Sequence, residues 1–270
     1  MGLIQHPFIK KMPEGFLMRL SLEDHIEKQL FWYGSYEQKE MQVLLKFIQS
    51  DALVIDIGAN IGYVSLLASS VVVNGTVVAF EPGIVALERL HQNLALNPSL
   101  KIIVIPKALG NQVRECAYYP SSDENLGMSG LTPAENFSGK KDVVAMTTLD
   151  LVAAEQGWPK IDVVKLDVEG AELLVLQGMK SILTNFRPSL FIEIASSNLA
   201  RFHHNSKQLM DYLGSFDYQS FEILGTGLLK KTTDLSDASL IVFQPIEKAF
   251  PATIRELFIP TAGRNPHTPV

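Results

Sequence analysis

Between Ala52 and Pro82 the chain obeys an alternation that restricts it to one broad class of fold. "ALVIDIG" (52–58) is an apolar run ending in glycine, "IGYVSLLASS" has helical period, and "GTVVAFEP" (75–82) is a second apolar run stopped by Pro82. Short, β-branched, nearly unbroken apolar runs belong to strands buried on both faces. Strands of that kind, joined by a helix, pair in parallel. The rhythm continues with a helix over 85–97 and a third strand in "KIIVIPKALG" (101–110). It resumes after residue 150 with "DLVAAEQG" (helix), "IDVVKLD" (fourth strand), "AELLVLQGMKSIL" (one helix), "PSLFIEI" (fifth strand) and "SKQLMDYLGS" (helix). "YQSFEIL" and "ASLIVFQ" read as a closing edge pair. The whole predicts an α/β protein with helices on both faces of a mostly parallel sheet.

Three regions depart from the rhythm. Residues 1–50 read as a helical or irregular preamble packed on the core, residues 51–245 as one domain, and residues 246–270 as a tail. "RECAYYP" (114–120) and "DVVAMTTLD" (142–150) read as two strands around a polar stretch from Ser121 to Lys141. A connection that long inside a compact domain is often functional.

With 47% hydrophobic and 19% charged residues among 270, a sizeable core is available and disorder is disfavoured. The net charge of −6 speaks against a general nucleic-acid binder. Cys116 is the sole cysteine, so neither an internal disulfide nor a C-x-x-C site can form, which suits a reducing compartment. No run of about 18 apolar residues exists to span a membrane. A cytoplasmic location is the expectation, and the oligomeric state is left open.

The turn in "VIDIGANIGYVS" carries the first chemical signal. Gly58 and Gly62 bracket it, Asn60 lies between them, and Asp56 precedes it. Glycines there let a ligand approach the backbone at the carboxyl end of a parallel strand. Dinucleotide sites prefer G-x-G-x-x-G; here the spacing is G-x-x-x-G. An acid beside a pyrophosphate is repulsive, whereas beside the cationic part of S-adenosylmethionine, directly or through water, it is favourable. Glu81 ends the second strand about twenty residues on, where an acid accepts the ribose hydroxyls of either cofactor class. An NAD-dependent oxidoreductase and a non-catalytic protein that keeps the fold remain as rivals.

The segments "DIGANIGYVSLLA", "VVAFEPGIVALERLHQNLALN", "ALGN", "TLD", "VVKLDVEGAELLVLQGM" and "FRPSLFIEI" fall in an order that resembles the FkbM family of S-adenosylmethionine-dependent methyltransferases. Upstream, "GSYEQKE" resembles a G-x-Y-E segment common before that family's core. The resemblance implies a class I, Rossmann-like methyltransferase fold: a seven-stranded, mostly parallel sheet whose last strand is antiparallel. It also implies O-methylation, commonly of sugar or polyketide-type hydroxyls; the expectation of no nucleic-acid partner rests on the net charge. By position, Asp56, Gly58, Asn60 and Gly62 would hold the methionine part of the cofactor, Glu81 the ribose, and Ala108 the adenine. Gly83 follows Glu81-Pro82 where many relatives carry Asn or Asp.

In such a sheet the fourth strand lies beside the first, so the charges in "VVKLDVEGAELL" (163–174) emerge next to the cofactor. Lys165 and Asp167 share a face. Methyl transfer to an alcohol needs the hydroxyl proton removed, by a carboxylate or with help from a divalent cation. Asp167, Glu169 and Glu193 are the catalytic candidates. Asp167 and Glu193 are also the pair that could bind Mg2+. Glu172 reads more simply as a helix-start acid. Tyr36 and Glu37 could cover the cofactor as a lid, and His203 and His204 could reach the acceptor from a loop.

Overall fold

The computed structural model describes residues 7–121, 126–133, 137, 139–225, 227, 229–233, 235, 240–251 and 254. In chain order the first elements are β1 (Phe8–Lys11), β2 (Leu17–Leu20), α1 (His25–Tyr33) and α2 (Gln38–Phe47). Next come β3 (Leu53–Ile57), α3 (Tyr63–Ser69), β4 (Thr76–Phe80), α4 (Ile84–Ala95), β5 (Ile102–Ile105) and β6 (Ala108–Leu109). They are followed by β7 (Arg114–Tyr118), β8 (Asp142–Thr147), α5 (Leu149–Gln156), β9 (Val163–Leu166), α6 (Glu172–Gln177) and α7 (Lys180–Asn185). The chain closes with β10 (Ser189–Glu193), α8 (Ser196–Arg201), α9 (Ser206–Gly214), β11 (Tyr218–Ile223), β12 (Leu229–Lys231) and β13 (Leu240–Pro245).

The main sheet runs β12-β11-β13-β10-β9-β3-β4-β5. The pairs β10–β9, β9–β3, β3–β4 and β4–β5 are parallel, and β13 is antiparallel to both β10 and β11. This is the Rossmann-like arrangement, with eight strands among the described residues rather than seven because Leu229–Lys231 pairs on the outside of β11. From β3 the chain proceeds outward through β4 and β5, then returns to place β9 on the other side of β3. The strand order therefore reverses there, and a crevice opens above the carboxyl ends.

Two faces of the sheet bury two separate cores, as the strand period of two demands. Val54, Val163, Phe191 and Val242 point to one side, against Met41, Leu44 and Phe47 of α2 and Leu66 of α3. Ile55, Val164, Ile192 and Ile241 point to the other, against Val152, Leu176, Leu183 and Leu209 of α5, α6, α7 and α9. The preamble thus contributes a layer of the core, and Phe250 and Ile254, from the expected tail, join the same cluster. Past Ile254 that tail lies outside the described residues.

Other expectations need correcting. The preamble contains an antiparallel hairpin, β1–β2, where a helical or irregular segment was expected. Its alternation over four residues is too short to stand out from a mixed sequence. The third strand is two: β5 belongs to the main sheet, and β6 joins β8 and β7 in a three-stranded sheet, because Pro106 cannot donate to a ladder and turns the chain. The helix expected over "AELLVLQGMKSIL" is divided into α6 and α7, with Gly178 ending the first; a Cβ there would lie 1.9 Å from the Gly110 carbonyl oxygen.

Phe191 is fully buried and meets Phe47 edge-on at 5.0 Å between ring centroids, joining sheet to preamble. Phe191→Ala is expected to cost about 3–5 kcal/mol of stability, read as a lowered urea midpoint with an unchanged denaturant slope.

Candidate active site

The carboxyl ends of β3, β4, β9 and β10 open into a cleft of about 1030 Å³, counted to its mouth. Gly58, Asn60, Glu81 and Ala108 line one part of it, and Asp167, Glu169 and Glu193 another. Tyr36, from the preamble, and the segment Gly127–Leu131, from the long polar connection, form its remaining walls.

Gly58 follows β3 with φ of 83°, and a Cβ there would fall 1.8 Å from the Asp167 carbonyl oxygen. Only glycine permits that approach between the loops after β3 and β9. Asn60 holds φ of 49°, and Glu37 and Glu169, at 48° and 56°, are also left-handed. Such backbones cost energy for residues with a Cβ and cluster at functional sites. The Asn60 N–H donates to Glu81 Oε2 at 2.8 Å, and the Gly83 N–H donates to Glu81 Oε1 at 2.8 Å. Burial pushes the Glu81 carboxyl up to about 7 against these two bonds. The buried Asn60 Oδ1 has no hydrogen-bond partner within the described residues, which leaves an acceptor for a ligand at the cleft wall.

Asp56 and Gly62 stand behind this wall. Asp56 is fully buried, does not line the cleft, and accepts the Ser65 hydroxyl at 2.5 Å, tying the start of α3 to the end of β3. Gly62 begins α3 with φ of 91°, and a Cβ there would meet Leu90 Cδ1 at 2.4 Å. Its place is fixed by packing against α4.

The charge at the end of β9 is the second half of the site. Asp56, Lys165 and Glu193 continue the rows of Val54, Val163 and Phe191 on the face that α2 covers. Register pairs Lys165 with Asp56 on one side and Phe191 on the other. Lys165 is 4% exposed, and its ammonium donates to Asp167 Oδ2 at 2.7 Å. Burial alone would depress its pKa; the charges of Asp167, Glu193, Asp56 and Glu37 raise it above the ordinary value instead. The Glu193 carboxyl is pushed up to about 9, by burial first and then by the Asp167 charge, and is hydrogen-bonded to Asp167. A protonated Glu193 therefore donates to the Asp167 carboxylate.

Glu169 is pushed up to about 8 by burial and the Asp167 charge, against the pull of Arg201. Its carboxylate accepts from the Asn198 amide and pairs with Arg201 at 3.5 Å. Glu37 does not line the cleft; its carboxyl, raised by burial, lies behind Tyr36 in the field of Lys165 and Asp167. Glu172 accepts the Gly170 N–H at 3.0 Å and is buried as a helix-start acid. His203 and His204 close the end of α8 outside the cleft, His204 stacking on Phe202. Asp167 is already paired to Lys165 at 2.7 Å and hydrogen-bonded to Glu193, so these two acids do not fit a divalent cation. Among the described residues no group of three or more His, Cys, Asp or Glu side chains is arranged to hold a metal.

Several lining residues carried no signal in the sequence. His25 and Ile26 reach the cleft from α1, and Tyr118 from β7. Only tertiary placement brings them there.

The methyltransferase FkbM domain matches residues 56–220, from the acid before the glycine loop into β11. The chain belongs to the FkbM methyltransferase family. With that membership comes dependence on S-adenosylmethionine, and the orphaned Asn60 oxygen and the carboxyl of Glu81 at the cleft wall fit such a cofactor. Hexuronic acid methyltransferase AglP of Haloferax volcanii is 29% identical over 182 residues, covering 67% of this chain and 72% of AglP. Methyltransferase sdnD of Sordaria araneosa is 32% identical over 162 residues, covering 49% of this chain and 62% of sdnD. The AMB antimetabolite synthetase AmbE of Pseudomonas aeruginosa is 29% identical over an alignment of 165 positions that covers 48% of this chain and 8% of AmbE. No helix of the described residues is long and apolar enough to cross a membrane.

The carboxyls raised in the folded chain set its response to pH. Burial pushes Glu27, Glu81 and Glu172 up to about 7, Glu169 to about 8 and Glu193 to about 9, all above the ordinary carboxyl value of 4.5. From pH 5 to 9 the folded state therefore holds protons that the unfolded chain has already lost, and stability falls as pH rises. The thermal midpoint of the cofactor-free protein is expected to be lower at pH 9 than at pH 6. A rise over that interval would contradict these protonation states.

Proposed function

We propose that the chain transfers the methyl group of S-adenosylmethionine to a hydroxyl of a small molecule or glycan, a sugar or polyketide-type acceptor. The observation that carries this reading is the Asp167 carboxylate, fixed by Lys165 and turned into the same cleft as Gly58, Asn60 and Glu81. When bound, the cofactor supplies an electrophilic methyl carbon. Glu81 accepts the ribose hydroxyls, Asn60 and the Gly58 backbone hold the methionine part, and Ala108 packs on the adenine. Asp56 shapes the loop from behind through Ser65.

Asp167 would take the proton of the acceptor hydroxyl, freeing an oxygen lone pair for the methyl carbon that the sulfonium gives up as its S–C bond breaks and a neutral thioether leaves, a contribution of about 10² to 10⁴ in rate. Glu193, donating to Asp167, orients that carboxylate, and Glu169 offers a further acceptor for a neighbouring hydroxyl. The net charge of −6 opposes a phosphate-bearing polymer, which favours a sugar or metabolite over nucleic acid. The name of AglP, a hexuronic acid methyltransferase, agrees with a glycan acceptor.

Titration calorimetry with S-adenosylmethionine, followed by turnover on hydroxylated acceptors, tests the reading. Asp167→Asn should keep cofactor affinity within about threefold and lose at least about 10² in kcat. Full turnover in that variant would remove Asp167 as the base. Glu81→Gln should weaken cofactor binding by about tenfold or more through loss of charge-assisted bonds. Binding of NAD in place of S-adenosylmethionine would overturn the assignment altogether.

A further inference from the structure

Gly83 marks a place that something else has filled. A Cβ at this position would meet the Tyr118 hydroxyl at 2.5 Å and Glu81 Oε1 at 2.9 Å. Tyr118 ends β7 in the small sheet, is 6% exposed and lines the cleft. Its hydroxyl is hydrogen-bonded to both Glu81 and Ser129. Ser129 Oγ accepts the Ser121 N–H at 2.9 Å, and Tyr119 and Gly130 exchange backbone bonds of 2.8 and 3.2 Å. The donor and acceptor count closes: the Ser129 hydroxyl donates to the Tyr118 oxygen, and the Tyr118 hydroxyl donates to Glu81. A continuous hydrogen-bonded path thus joins the glycine loop, through Asn60 and Glu81, to the Gly127–Leu131 wall of the cleft.

We propose that Tyr118 is a positioning residue of the cofactor site, its hydroxyl tying Glu81 to Ser129 so that the ribose-binding acid and the loop wall are held as one unit. The inference rests on the reading of Glu81 as the ribose acceptor. Two consequences follow from the chemistry of the bond. Glu81 is held by a third donor besides the Asn60 and Gly83 N–H groups, with acceptor capacity left for the ribose. A donor to a carboxylate also favours its ionised form, so the Tyr118 bond keeps Glu81 charged against its burial. Removing the bond raises the Glu81 pKa further, and binding that needs the charged form is then lost at a higher pH on acidification.

The test is calorimetric titration of S-adenosylmethionine from pH 5.5 to 9 into the wild type, Tyr118→Phe, Ser129→Ala and the double variant. Melting curves without cofactor check that each is folded. Tyr118→Phe should bind about tenfold more weakly at pH 7.5, and the pH at which affinity falls on acidification should move upward. Ser129→Ala, on the loop and safe for the fold, should weaken binding less and add nothing in the Tyr118→Phe background, because the path is already broken. A Tyr118→Phe variant with wild-type affinity and pH profile would sink the inference while leaving the methyltransferase reading intact, as would full additivity of the two substitutions. Failure of the wild type to bind S-adenosylmethionine would remove the Glu81 reading itself, and this inference with it.

Discussion

The ammonium of Lys165 holds the carboxyl end of the sheet together. A buried lysine without partners costs several kcal/mol, yet this one sits at the centre of three adjacent strands beneath α2. Asp167, Glu193, Asp56 and Glu37 surround it. Each acid comes from a different place in the chain, and each would repel the others without the cation. The lysine thereby joins the end of β3, the end of β9, the end of β10 and the start of α2 electrostatically. The ends of β3, β9 and β10 wall the cleft.

The protonation pattern follows from that arrangement. Four carboxyls around one ammonium cannot all remain charged in a buried setting, so the least compensated take up protons. Glu193 does so beside Asp167 and becomes a donor to it. The result is a carboxylate with one cation and one hydrogen-bond donor fixed on it, opening toward the ligand space. Asp56 serves the same design from behind, trading contact with the cleft for a bond to Ser65 that holds the glycine loop in place.

The other wall depends on the small sheet and the preamble. Pro106 diverts the chain out of the main sheet, β6 joins β8, and β7 brings Tyr118 over the end of β4. The hairpin β1–β2 and the helices after it pack Phe47 and Leu44 against Phe191 and carry Tyr36 and His25 to the rim. The cleft between three separate chain regions is thus closed by packing outside the sheet that defines it.

Much of the architecture was legible in the sequence because it is local. The strand–helix alternation, the turn at Gly58, the acid at Glu81 and the charged end of β9 each declare themselves within a dozen residues, and the period of a buried strand leaves little latitude. The division of "KIIVIPKALG" between two sheets and of "AELLVLQGMKSIL" between two helices was not legible, since Pro106 and Gly178 act through neighbours distant in the chain. Nor could the sequence distinguish Asp56 and Gly62, which support the loop, from Asn60 and Glu81, which face the cleft. By itself the sequence determined the class of fold, the family and the charged strand ends that meet at the cleft, because hydrophobic periodicity and turn residues are written locally. Only the tertiary structure decided which acids are hydrogen-bonded to each other, which stand behind the wall, and that Tyr118 meets Glu81 at the cleft wall. Those outcomes depend on register and burial between segments far apart in the chain.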